Sequence, residues 1–212
     1  LFFERLQKGD SVVLIHCFNE KLLSQQQIVA EFIELVNATA VDIKSNLIFI
    51  NKQIKPSTYI ASGKVEQIRE VVLQCDASVI LFNIDLSPSQ ERNLEKQLQV
   101  RVQSRTELIL EIFAKRARSY EGQLQVELAH LQNASTKLVK GWTHLERQRG
   151  GIGVRGGPGE SQLEIDKRLI RKRIIAVEKQ IKKVKNKRLL NRQKRSKQSV
   201  PSIALVGYTN VG

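Results

Sequence analysis

The first 118 residues of the chain carry short runs of consecutive apolar positions separated by stretches with helical spacing. Val12-Val13-Leu14-Ile15-His16-Cys17 and Ala77-Ser78-Val79-Ile80-Leu81-Phe82 are two such runs, rich in β-branched residues. Shorter strands are predicted at Thr39 to Val41, at Leu47 to Ile50 and around Val100 to Val102. Between them, Ile28, Phe32, Ile33, Leu35 and Val36 fall on one side of a helix that Ser24 is placed to cap. Val65, Ile68, Val71 and Val72 repeat the helical spacing, and Ser87-Pro88 opens a third helix with proline in its first turn. Unbroken apolar strands alternating with helices indicate a parallel sheet covered on both faces. Residues 1–118 are therefore read as a small α/β domain.

The pattern then changes. Leu124, Leu128, Leu131, Leu138, Trp142 and Leu145 recur at steps of three and four, with Ser135 taking one seam position. A second seam runs through Leu163, Ile170, Ile174, Val177, Ile181 and Val184, with Lys167 as its polar member. Neither stripe can be buried alone, so residues 119–185 are expected to fold as a long antiparallel helical hairpin. From Asn186 the seam fades and the charge remains, so 186–201 reads as a basic linker ended by Pro201. Ser202-Ile203-Ala204-Leu205-Val206 reads as a further strand.

Charge sharpens this picture. The chain has a net charge of +14. Fifteen Lys/Arg against three acids, Glu164, Asp166 and Glu178, lie between Ser161 and Val200, so nearly all the excess sits on the second seam helix and its extension. Such a balance points to a polyanionic partner, nucleic acid before anionic membrane. No apolar stretch approaches a membrane span, and the N-terminus lacks a signal-peptide layout. A cytoplasmic, monomeric protein is expected.

Two glycine motifs carry candidate chemistry. Between the seams, Gly150 to Gly159 holds six glycines in ten residues. Gly151 to Gly156 matches G-x-G-x-x-G, but a dinucleotide fingerprint follows a strand, and here a helical seam precedes it. A hairpin turn needs fewer glycines. Exposed backbone N–H groups beside Arg149 and Arg155 suit close approach to a phosphate backbone. Gly151, Gly153, Arg155, Gly156, Gly157 and Gly159 are thus candidate RNA-contacting residues, with Arg149 before them and Lys167, Arg168, Arg171 and Lys172 on the following helix. The second motif, Gly207-Tyr208-Thr209-Asn210-Val211-Gly212, is G-x-x-x-x-G directly after the expected strand. That is the front of a phosphate-binding loop, whose backbone N–H groups would cradle phosphates. Its Lys and Ser/Thr would fall at 213 and 214, so the 212-residue chain is expected to hydrolyse no GTP by itself. Cys17 and Cys75 read as small apolar residues. The three histidines show no metal-ligand spacing, and no nucleophile–base arrangement is legible.

Taken together, these segments resemble the HflX-type ribosome-associated GTPases over essentially the whole chain. The resemblance rests on LSPSQERNLE at Leu86–Glu95, RTELILEIFA at Arg105–Ala114, QVELA at Gln125–Ala129, GWTHLERQ at Gly141–Gln148, RGGPGESQLE at Arg155–Glu164 and LVGYTN at Leu205–Asn210. It implies an α/β subdomain, a helical hairpin and the first strand of a Ras-like GTPase domain. It also implies binding to rRNA of the large ribosomal subunit, with the hairpin near the peptidyl-transferase region. GTP and Mg²⁺ would act in the full-length protein, coupled to ribosome splitting or rescue. The competing reading is a stand-alone RNA- or ribosome-binding module without enzymatic activity.

Overall fold

The computed structural model describes residues 6–20, 24–51, 53–148 and 162–197, with 203, 204, 206 and 207 near the end; for 139–148, 162, 163 and 196 only the backbone is described. Within these residues the chain alternates strand and helix as β1 (Ser11–Phe18), α1 (Gln25–Asn37), β2 (Asp42–Ile50), α2 (Ser62–Cys75), β3 (Val79–Phe82), α3 (Pro88–Leu98), β4 (Arg101–Gln103) and α4 (Arg105–Arg116). Two long helices follow, α5 (Tyr120–Gln148) and α6 (Gln162–Lys197). The four strands are all parallel, in the order β2-β1-β3-β4.

The period of two in β1 divides the core. Val13, Ile15 and Cys17 face α2 and α3, where they meet Ile80, Phe82, Val65, Ile68, Val72, Leu94 and Leu98. Val12 and Leu14 face α1 and α4, against Phe32, Val36, Leu108 and Ile112. Both faces are dry, which is why β1 and β3 read as unbroken apolar runs. Ser87 caps α3 with a full capping box: its hydroxyl accepts from the Gln90 backbone N–H, and the Gln90 side chain accepts from the Ser87 N–H. Ser104 and Glu107 repeat the device at α4. His16 is fully buried on β1, edge-on to the Phe32 ring at 5.4 Å.

Three expectations are corrected. No strand forms at Thr39 to Val41, and Leu47 to Ile50 is the second half of one longer strand, β2, that begins at Asp42. Thr39 belongs to the turn after α1, where its hydroxyl donates to the Val36 carbonyl at 2.6 Å. A bulge hid the continuity: Val12 pairs Ile43 but Val13 pairs Ser45, so the alternation of β2 changes face at Lys44. Ile43 packs towards α1, and Leu47 and Phe49 towards α2. Next, the segment expected as a linker from Asn186 is helical as far as Lys197. Its Lys, Arg, Leu and Gln residues are strong helix formers with no Gly or Pro among them, and propensity carries the helix where the seam does not. Last, Ser202–Val206 forms no strand among its described residues: Ile203 and Val206 are 89% exposed, and no strand of the sheet pairs with them.

The α5–α6 pair has a core of its own. Leu124, Leu131 and Ala134 of α5 are buried against Ile170 and Val177 of α6, flanked by Leu128, Leu138, Ile174, Ile181 and Val184. Ala134, not Ser135, fills the fourth seam position, because a straight helix drifts from a strict heptad. Ion pairs tie the flanks. Arg188 meets Glu121 at 2.7 Å, and Arg173 meets Glu127 at 2.5 Å, so the partners on α6 fall in number as those on α5 rise. Trp142, Leu145 and Leu163 lie outside the residues whose side chains are described.

Candidate nucleic-acid interface

The seam decides which residues of α6 face outward. With Ile170, Ile174, Val177, Ile181 and Val184 turned to α5, the opposite side of the helix carries Arg168, Lys172, Lys179, Lys182, Lys183, Lys194 and Lys197, all exposed. Between Arg168 and Lys197, Ile175, Ala176, Asn186, Leu190 and Gln193 share that side and no acid does; Glu164, at the same helical angle as Lys182, stands one turn before Arg168. From Arg168 to Lys197 this face runs about 44 Å at 1.5 Å per residue. Glu164 sits in the first turn and Lys194, Arg195 and Lys197 in the last, which suits the helix dipole. Glu178 lies on the flank. Like charges held along one rigid side repel one another, and a polyanion laid against them relieves that repulsion. By contrast, Arg173 and Arg188 are turned back onto α5 and are structural.

The structure separates the residues singled out in the sequence. Arg168 and Lys172 lie on the outward face; Arg171 is exposed on its flank, and Lys167 is half-buried towards the seam. Arg149, Gly151, Gly153, Arg155, Gly156, Gly157 and Gly159 lie outside the described residues, as do Tyr208, Thr209, Asn210, Val211 and Gly212. Gly207 is exposed and outside any strand or helix. Lys179, Lys182, Lys183, Lys194 and Lys197 belong to the same face but were not named from the sequence. Their offset from the apolar seam was the signal available.

Where the helical pair meets the α/β layer, α3, α4 and α5 converge on one ammonium. Lys137 Nζ lies 2.5 Å from Glu91 Oε2 and 2.5 Å from Glu107 Oε1. Burial, then the neighbouring Glu107 carboxylate, push the Glu91 carboxyl up to about 7, and Lys137 only partly opposes them. Burial by itself would lower the Lys137 ammonium, but Glu107 and Glu91 outweigh it and hold it above its usual range. An open cleft of about 400 Å³ beside this junction is lined by Glu95, Arg101, Gln103 and Asp166 with an apolar floor of Val102, Ala134 and Ile170. Among the described residues no cluster of His, Cys, Asp and Glu could hold a metal ion, and no helix is long and apolar enough to cross a membrane.

This architecture, a parallel α/β layer bearing a long basic helical pair, matches the front half of a class of GTP-binding proteins. Residues 26–114 match the family model described as GTP-binding GTPase N-terminal, and residues 116–195 match the GTP-binding GTPase middle region. GTPase HflX of Escherichia coli K12 is 47% identical over 99% of the chain and 49% of its own length. GTPase HflX of Magnetococcus marinus is 43% identical over 99% of the chain and 49% of its length. Among solved structures, a complex of SsGBP with GDP aligns with 95% of the chain and 48% of its own at a TM-score of 0.61 and 20% identity. A GTP-binding protein from Sulfolobus solfataricus, also with GDP, covers 83% of the chain and 46% of its own at 0.58 and 21%. At those identities the structures speak for the fold alone. The chain belongs to the HflX family of GTPases, and it spans about half the length of the curated relatives it matches.

Proposed function

We propose that this chain is the ribosome-binding region of an HflX-type GTPase, docking on rRNA of the large ribosomal subunit through the outward face of α6. The observation that carries the reading is the run of seven exposed Lys/Arg on one side of a single helix, with no acid among them. Phosphate contacts of this kind supply affinity and orientation without reading sequence. On this reading α5 and α6 form an antiparallel hairpin, and the glycine-rich segment 150–159 at its tip, with Arg149 and Arg155, makes the closest approach to RNA. Gly207–Gly212 would be the phosphate-binding loop where the GTP-binding domain begins. GTP bound with Mg²⁺ would supply the hydrolysis that drives ribosome splitting or rescue, while this chain's residues grip the subunit.

The test is co-sedimentation of the 212-residue protein with purified large and small ribosomal subunits. Retention on large subunits, lost on converting Lys172, Lys179 and Lys183 to Glu in a variant with unchanged helical content, is expected. Equal retention on both subunits, or retention of the variant, refutes the assignment.

A further inference from the structure

α5 follows α4 after the non-helical turn at 117–119 and is tied to α3 and α4 at Lys137. There the charges do not balance. One ammonium faces two carboxylates, and the three side chains are only 30%, 6% and 17% exposed for Lys137, Glu91 and Glu107. Glu91 Oε1 is buried and has no hydrogen-bond partner among the described residues, where Oε2 alone meets a cation. With all three groups ionised the three-residue cluster itself is left with one negative charge, which a site so far removed from water resists. A single proton on the carboxylate pair restores neutrality.

We infer that Glu91, Glu107 and Lys137 form a proton-gated clamp: with that proton bound, the α5–α6 arm is held against α3 and α4, and its loss lets the arm lift about the 117–119 turn. This inference goes beyond ribosome docking and does not depend on it.

The other ionisable groups on the converging elements are Glu95 of α3, Arg101 of β4, Glu111 of α4, His130 of α5 and Asp166 of α6. Glu95 adds to the rise of Glu91, and its carboxylate also accepts from the Val102 N–H. The Glu91 carboxyl is pushed up to about 7 in the closed arrangement from an ordinary 4.5. A carboxyl raised in the closed form favours closure below that range and disfavours it above, so the clamp weakens as pH rises through about 7. The two values give about a tenfold fall in the closing constant between pH 6 and pH 8.

Thiol labelling reads such opening even when it is rare. In a Cys75→Ser background, Gln103→Cys places a thiol on the sheet side of the junction, in the cleft beside Lys137, where Gln103 is 7% exposed. Cys17 in the sheet core serves as an internal reporter of global unfolding. After correction for thiolate fraction, the junction thiol should label about tenfold faster at pH 8 than at pH 6 while Cys17 does not. Glu91→Gln, which cannot ionise, should abolish that pH dependence, and Lys137→Met should label fast at both pH values. Equal acceleration at Cys17, no acceleration at the junction, or an unchanged profile in Glu91→Gln would each overturn the clamp. If Lys137→Met fails to fold, the parent and Glu91→Gln decide the matter.

Discussion

Ile170 is 2% exposed in the core shared by α5 and α6, whereas Ile175, on the same helix, is 59% exposed on the outward side. The two positions carry the same side chain, so truncating each to alanine isolates the seam from helix propensity. Ile170→Ala removes three carbon atoms from a dry contact with α5. At about 0.8 kcal/mol per methylene the transfer loss is about 2.4 kcal/mol, and a partly collapsed cavity raises it to about 3–4 kcal/mol. Ile175→Ala removes little buried area and installs the better helix former, so its effect should stay within about 0.5 kcal/mol. Urea unfolding followed by the helical signal at 222 nm measures both. With a slope of about 2 kcal/mol/M, the Ile170→Ala midpoint should fall by about 1.5–2 M and that of Ile175→Ala should barely move. Equal shifts, or a larger one at Ile175, would refute the seam and with it the assignment of the outward face.

His16 titrates against the fold. Burial holds its imidazole below the ordinary 6.5, with Asn46 partly opposing, so the unfolded chain takes up a proton before the folded one does. Stability is therefore lost as pH falls through about 6.5, at up to about 1.4 kcal/mol per unit; His16→Leu should flatten that acid limb between pH 7 and pH 5 in thermal melts. Ser87→Ala removes the acceptor for the Gln90 N–H at the start of α3 and should cost about 1 kcal/mol in urea unfolding.

The α/β layering was legible because β1 and β3 are buried on both faces and need no polar residue. The proline and serine that open α3 carry their own local chemistry. The front half of β2 was hidden by the bulge at Lys44, a feature of pairing with β1 that local pattern does not record. The far end of α6 was misread because a missing seam was weighed above helix propensity over Asn186–Lys197. Ala134 displaced Ser135 because side-chain position along a real helix follows 3.6 residues per turn. The Lys137 junction joins residues 30 and 46 positions apart on three helices, and nothing in their spacing announces it. The basic face was half legible: the charge run showed in the sequence, but which lysines share a side became definite only with the partner of the seam in place.

The central claim, that the outward side of α6 grips RNA phosphates, is tested most directly by the salt dependence of binding to purified large ribosomal subunits. If about eight phosphates are neutralised, log K should fall with log salt at a slope of about −6 to −7, and converting Lys172, Lys179 and Lys183 to Glu should flatten that slope by about 2–3. Binding that is insensitive to salt, or a slope unchanged in the variant, would contradict the account.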